Sequence, residues 1–189
     1  MATEIIYEDG DCVVIHQQGK SKFSVVSFAS LNDRPNGLWF WGQSAATKLE
    51  IDTIGVVAKS SHRYPREVIL RAAPAIKPRL QSASIGYGHS MGAYGALRAG
   101  SSLGLTHTLA LSPVNYALRE KFIKNIVWSE KYCPERIPGP FISFLDLAPI
   151  NLQIVDPFFI LDASQAALFA SAGKIITLNV PFLAHDTIS

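Results

Sequence analysis

The sequence predicts an α/β fold: a mostly parallel sheet of about seven to eight strands with helices on both faces. Three observations lead there. Short β-branched and apolar runs alternate with helical patterns along most of the chain, the order that builds βαβ units. The composition is 48% hydrophobic against 17% charged over 189 residues, which suits one domain whose sheet is covered on both sides. Finally, Ser84–Leu97 reads as a strand, the pentapeptide Gly88-His89-Ser90-Met91-Gly92, and an alanine-rich helix. In such a G-x-S-x-G turn the serine sits on a tight strand-to-helix bend that lifts its hydroxyl clear of the backbone.

The strands and helices come in a regular order. Glu4–Glu8 and Cys12–His16 are two strands joined by the tight turn Asp9-Gly10-Asp11. A third strand, Phe23–Ala29, is mostly apolar and therefore internal, and it runs into a loop rich in turn formers, Ser30–Gly37. A short helix is expected over Ser44–Glu50 and a strand over Asp52–Ala58. Pro65 suits the first position of a helix over 65–71, which Pro74 and Pro78 should kink or end. The elbow strand and helix come next, then a strand over Thr106–Leu111.

The segment 113–150 is the least regular, a short insertion after the sixth strand that could form a small cap. Within it Tyr116–Trp128 has helical spacing, Pro134, Pro138, Gly139 and Pro140 interrupt any regular structure beyond that helix, and Phe141–Leu145 either covers something or completes the core. Asn151–Val155 is a strand leading into Asp156-Pro157. Asp162 is placed to N-cap a helix over 163–170, which Gly173 ends. Lys174–Val180 is the last strand and Pro181–Asp186 the final loop.

Composition also excludes function classes. A net charge of +2 without a Lys/Arg cluster argues against nucleic acid. The two cysteines, Cys12 and Cys133, form neither a metal pattern nor a disulfide framework and fit a reducing compartment. Glu4, Glu8 and Asp9 leave the N-terminus without the basic region of a signal peptide, and no apolar run approaches the roughly 18 residues of a membrane span. The expectation is a cytoplasmic protein without metal or cofactor. A glycine-rich nucleotide loop is the rival reading of Gly86, Gly88 and Gly92. It requires an acid at the end of the next strand, where this chain has Ser112-Pro113.

A nucleophilic serine needs a base within hydrogen-bond reach and a third group to orient that base. His185 follows the final strand and Asp156 the one before it. Parallel strands end at one sheet edge, so Ser90, Asp156 and His185 should open on the same side. Asp162 and Asp146 are the alternative acids. His89 is read as an elbow neighbour that packs or hydrogen-bonds.

With these residues in place, the chain from about Glu4 onward resembles the α/β-hydrolase fold superfamily. The resemblance implies a Ser90 nucleophile, a His185 base and an Asp156 orienter, on a strand order with the elbow after the fifth strand. It implies an oxyanion hole made by the backbone N–H of Met91 with one from Leu31 or Ser30. Cleavage of a carboxylic ester or thioester is the expected reaction. His89, Asn32 and Trp39 are placed at the substrate, with an apolar pocket drawn from Leu31–Trp41 and the 113–149 segment. Two departures stand out: the loop at Ser30–Asn32 lacks the His-Gly-Gly wording of many lipases, and no closing helix follows His185. They leave a catalytically silent scaffold as the alternative, and an exposed face compatible with a homodimer.

Overall fold

A computed structural model describes residues 2–60, 63–114 and 142–185. Eight strands form one sheet: β1 (Thr3–Glu8), β2 (Cys12–Gln17), β3 (Ser24–Phe28), β4 (Asp52–Ala58), β5 (Ser84–His89), β6 (His107–Leu111), β7 (Ile150–Val155) and β8 (Ile175–Asn179). Their spatial order is β1-β2-β4-β3-β5-β6-β7-β8. Only β2 runs against its neighbours β1 and β4; every pair from β4 to β8 is parallel. The apolar runs end where this layout requires. β4 is buried along its whole length and β2 along all but His16, because layers of the fold cover both faces.

Four helices are described: α1 (Gln43–Lys48), α2 (Arg66–Ile76), α3 (Met91–Leu103) and α4 (Ile160–Ser171). α2 runs through Pro74 rather than stopping before it. A proline this close to a helix end forfeits a single backbone bond, and the chain tightens at once into a 3₁₀ turn, Lys77–Arg79. α4 begins at Ile160, earlier than expected, so Asp162 lies inside its first turn and is not the N-cap. Within the 113–150 insertion, residues 115–141 lie outside the described residues, and with them the predicted helix Tyr116–Trp128, the proline-rich break, Cys133 and Phe141. Of the remainder, Ile142 and Leu147 complete a core with Ala93, Tyr94, Leu97, Ala110 and Phe169.

α3 is the centre of the packing. All of its residues except Ser101 are buried. One side joins the large core of Val26, Phe28, Ile54, Val56, Tyr64, Ile69 and Ile76; the other joins the Phe169 core. Its small residues make this close approach possible. A side chain at Gly95 would strike the Tyr64 ring, and one at Gly100 the backbone of Ala148.

Tyr64 locks the end of β3 from the same side. Fully buried, it donates its hydroxyl to Ala29 O at 2.7 Å, and its ring meets Phe28 edge-on at 5.2 Å. Burial raises the phenol far above its ordinary range, so it remains a donor at every accessible pH. Tyr64→Phe should strand the Ala29 carbonyl and lower unfolding stability by roughly 1–3 kcal/mol. A shifted urea midpoint at unchanged slope is the expected result.

Candidate active site

Parallel strands bring the functional loops to one edge. The loop after β3, the elbow after β5, the loop after β7 and the loop after β8 all leave the carboxyl ends of their strands. The elbow itself is a steric construction. A Cβ on Gly88 would overlap the backbone of Gly92, and one on Gly92 would run into the carbonyl oxygen of Phe28. With both absent, α3 starts directly against the sheet, and Ser90 takes φ 55° and ψ −117° as the residue between strand and helix. A non-glycine residue at positive φ is strained, and here the surroundings over-determine it. Ser90 N–H donates to Leu111 O at 2.9 Å, while Ser90 O accepts from Tyr94 N–H at 3.2 Å.

Ser90 Oγ lies 3.0 Å from His185 Nε2. His185 Nδ1 lies 2.8 Å from Asp162 Oδ1. A carboxylate can only accept, so Nδ1 carries the proton and Nε2 is left to accept the serine hydroxyl. Hydroxyl, imidazole and carboxylate thus stand in line, an arrangement that can withdraw a proton from a serine hydroxyl.

The carboxylate that meets the His185 ring is therefore Asp162, not Asp156. Asp156 does follow β7, but its two oxygens are committed to backbone. Oδ1 accepts from Phe158 N–H at 2.8 Å and Oδ2 from Ala184 N–H at 2.7 Å. Burial opposes the charge, but the N–H groups of Phe158, Ala184, Leu183 and Phe159 outweigh it and hold the carboxyl below its ordinary range. A depressed pKa means that the ionised form supports the fold. That support is full above the unfolded carboxylate's value and is lost as pH falls through the lowered one. Asp146, the other alternative acid, is occupied by Ser143, through its N–H at 2.9 Å and its hydroxyl at 3.1 Å.

The loop after β3 divides the two donors expected there. Ser30 N–H is not free: it donates to Asp33 Oδ2 at 2.8 Å. The Ser-x-x-Asp spacing was the signal for this, since a side chain three residues on can reach back to such an N–H. The Ser30 hydroxyl donates to His89 O at 3.2 Å. The N–H groups of Leu31 and of Met91, the first residue of α3, have no hydrogen-bond partner among the described residues.

Of the expected substrate residues, Asn32 is exposed and makes no hydrogen bond among the described residues. Trp39 leans on the core of Val13, Ile15, Phe40 and Val57, an apolar anchor for its loop. His89 turns to the histidine loop, with Nε2 2.7 Å from the backbone oxygen of His185. Beside them Phe158 and Phe182 stack at 5.3 Å, both largely exposed, and Phe159 lies 6.2 Å from the His185 ring. Among the described residues no group of three His, Cys, Asp or Glu side chains gathers as for a metal ion, and no helix is long and apolar enough to cross a membrane.

The Asp156 assignment carries its own test. Asp156→Asn keeps one accepting oxygen and turns an amide NH₂ toward the other backbone donor. Amide exchange at Ala184 or Phe158 should accelerate by about tenfold or more, with the global fold retained.

No family model matches the chain, and no curated protein matches it in sequence. Solved structures do match in shape. The capsule O-acetyltransferase of Neisseria meningitidis serogroup A superposes with a TM-score of 0.66 at 13% identity, over 95% of this chain and 86% of that one. FphF, the fluorophosphonate-binding serine hydrolase F of Staphylococcus aureus, gives 0.60 at 14%, over 96% and 90%. The Pyrococcus furiosus esterase Pf2001 gives 0.59 at 14%, over 95% and 82%. Eight strands in this order, with α3 rising from the fifth, and the agreement of these enzymes over nearly the whole chain lead to one conclusion: the chain has the α/β-hydrolase fold.

Proposed function

We propose that this protein is a serine hydrolase that cleaves a carboxylic ester or thioester through an acyl-enzyme on Ser90. The observation that carries the reading is the 3.0 Å approach of Ser90 Oγ to His185 Nε2, with Asp162 holding the far side of the ring. As Oγ attacks the carbonyl carbon, its proton passes to Nε2, and the imidazolium is stabilised by Asp162. The tetrahedral oxyanion is received by the N–H of Met91, with Leu31 N–H as the second donor, each worth about 3 kcal/mol. Collapse expels the alcohol or thiol, which takes its proton from Nε2. Water, activated by the same nitrogen, then frees the acid and Ser90.

The named activities of the structural neighbours, an esterase and a fluorophosphonate-binding serine hydrolase, are in keeping with this chemistry. So is the O-acetyltransferase, whose named activity delivers an acyl group to a hydroxyl acceptor. We assign the substrate a modestly apolar acyl or alkyl group, supported by the exposed Phe158–Phe182 pair near His185. The chemistry needs no metal, nucleotide or flavin, and we place it in the cytoplasm. The alternative is a silent scaffold. Among the described residues, the diversion of Ser30 N–H to Asp33 favours it.

Labelling with a fluorophosphonate separates the two, because the probe reacts with a serine only where base and oxyanion donors activate it. Wild type should label on Ser90, and Ser90→Ala and His185→Ala should not. Asp162→Asn should slow labelling by about 10³–10⁴-fold, whereas Asp156→Asn should slow it far less. A well-folded wild type that takes no label would establish the scaffold instead.

A further inference from the structure

We infer that His89 is a positioning residue: its Nε2–H pins the backbone of His185 and so fixes the base against Ser90. This deepens the serine-hydrolase reading and rests on it for its catalytic meaning. His89 is the last residue of β5, immediately before the nucleophile. Side chains alternate along a strand. Gly86 and Gly88 lie beneath α3, so Tyr87 and His89 emerge on the opposite face, where the Tyr87 ring packs on Trp41 at 4.6 Å.

From there the His89 ring reaches His185 twice. Nε2 lies 2.7 Å from the His185 carbonyl oxygen, and the two rings stand 5.0 Å apart. A carbonyl only accepts, so this nitrogen of His89 must carry the proton. The bond matters because of where the His185 loop lies. It follows the edge strand β8, and it carries Phe182 at φ 67° and Ala184 at φ 50°. Strained backbone in an edge loop persists only where contacts over-determine it.

Two of the contacts that do so act on the backbone of Ala184 and of His185 itself. Asp156 Oδ2 takes the Ala184 N–H, and His89 Nε2–H takes the His185 carbonyl. The second pin also links three loops. Ser30 Oγ donates to the backbone oxygen of His89, so the oxyanion loop, the elbow and the histidine loop meet at one residue. A displacement of about 1 Å in a catalytic group can cost 10²-fold in rate. One bond between the nucleophile's own neighbour and the base's own backbone sets their separation directly.

Two substitutions separate the donor from the ring. His89→Phe keeps an aromatic ring against His185 and removes the donor; His89→Gln removes the ring and returns an N–H at nearly the same reach. Fluorophosphonate labelling of Ser90 should slow about 100-fold in His89→Phe and recover to within about tenfold of wild type in His89→Gln. Both variants should keep the wild-type thermal midpoint within a few degrees. The low-field proton resonance of His185 Nδ1–H, assigned by its loss in His185→Gln, should be sharp in wild type and His89→Gln and broadened in His89→Phe. Labelling of His89→Phe at the wild-type rate, or no advantage of His89→Gln over it, overturns the assignment. If wild type itself takes no label, the serine-hydrolase reading falls, and the proton resonance alone decides whether the pin exists.

Discussion

The contact on which the structure depends is that between the first turn of α3 and the sheet beneath it. The Phe28 carbonyl occupies the space a side chain at Gly92 would need, and Gly92 occupies the space a side chain at Gly88 would need. Because all three backbones meet without side chains, the chain can turn from β5 into α3 within one residue. That residue, Ser90, carries the strain as its positive φ. The consequences spread in both directions. Inward, the same closeness requires the Gly and Ala positions along α3 and makes it the wall of two cores. Outward, it leaves the Met91 N–H, next in the chain to Ser90, without a hydrogen-bond partner among the described residues, since the start of a helix cannot satisfy its own donors. The strain is held by packing, and the hydroxyl is presented by the strain.

Under the proposed function a rigid serine alone is inert, and the second requirement is a base whose position is equally fixed. His185 sits on a loop after an edge strand, ordinarily among the less stable parts of a sheet. The protein compensates with polar contacts. Asp162 holds the imidazole, Asp156 holds the N–H just before it, and His89 holds the carbonyl of the residue itself. The two carboxylates have divided the work. One acts on the ring, where charge would develop during reaction; the other acts on backbone, where its charge is already satisfied by N–H groups.

Much of this was legible in the sequence. β2 and β4 announced themselves as apolar runs, because burial on both faces leaves little room for polar alternation. The elbow was legible because its glycines are steric necessities at fixed spacing. His185 was legible because it follows the last strand. The acid was not. Asp156 stands where the loop after β7 begins, and Asp-Pro reads as the start of a turn, which it is: its oxygen caps Phe158 N–H. Asp162 read as an N-cap, and that single assignment placed the start of α4 too late. Helix ends are set by which backbone donors find partners, here with Ala163 N–H reaching Phe159 O, and local sequence ranks such choices poorly. The Ser30 amide was misjudged for a similar reason, since its partner Asp33 acts through a short local turn that competes with any ligand.

Placing the acid on a helix rather than in a loop has an electrostatic consequence. Asp162 is fully buried, and its Oδ2 has no hydrogen-bond partner among the described residues. A buried carboxylate with one bare oxygen is costly unless something else favours its charge. The first turn of α4 supplies that, since the exposed N–H groups of a helix start favour an anion. Apart from this field, Asp162 directs its interaction at one partner, the His185 ring. A carboxylate shared among several donors, as Asp156 is, would be better satisfied and a weaker partner for an imidazolium. The burial that makes Asp162 costly also shields its side of the Asp162–His185 contact from water, while the imidazole stays partly exposed. Under the proposed function, a carboxylate on the helix rather than in the loop gives up some folding stability and directs its interaction at the ring that faces Ser90.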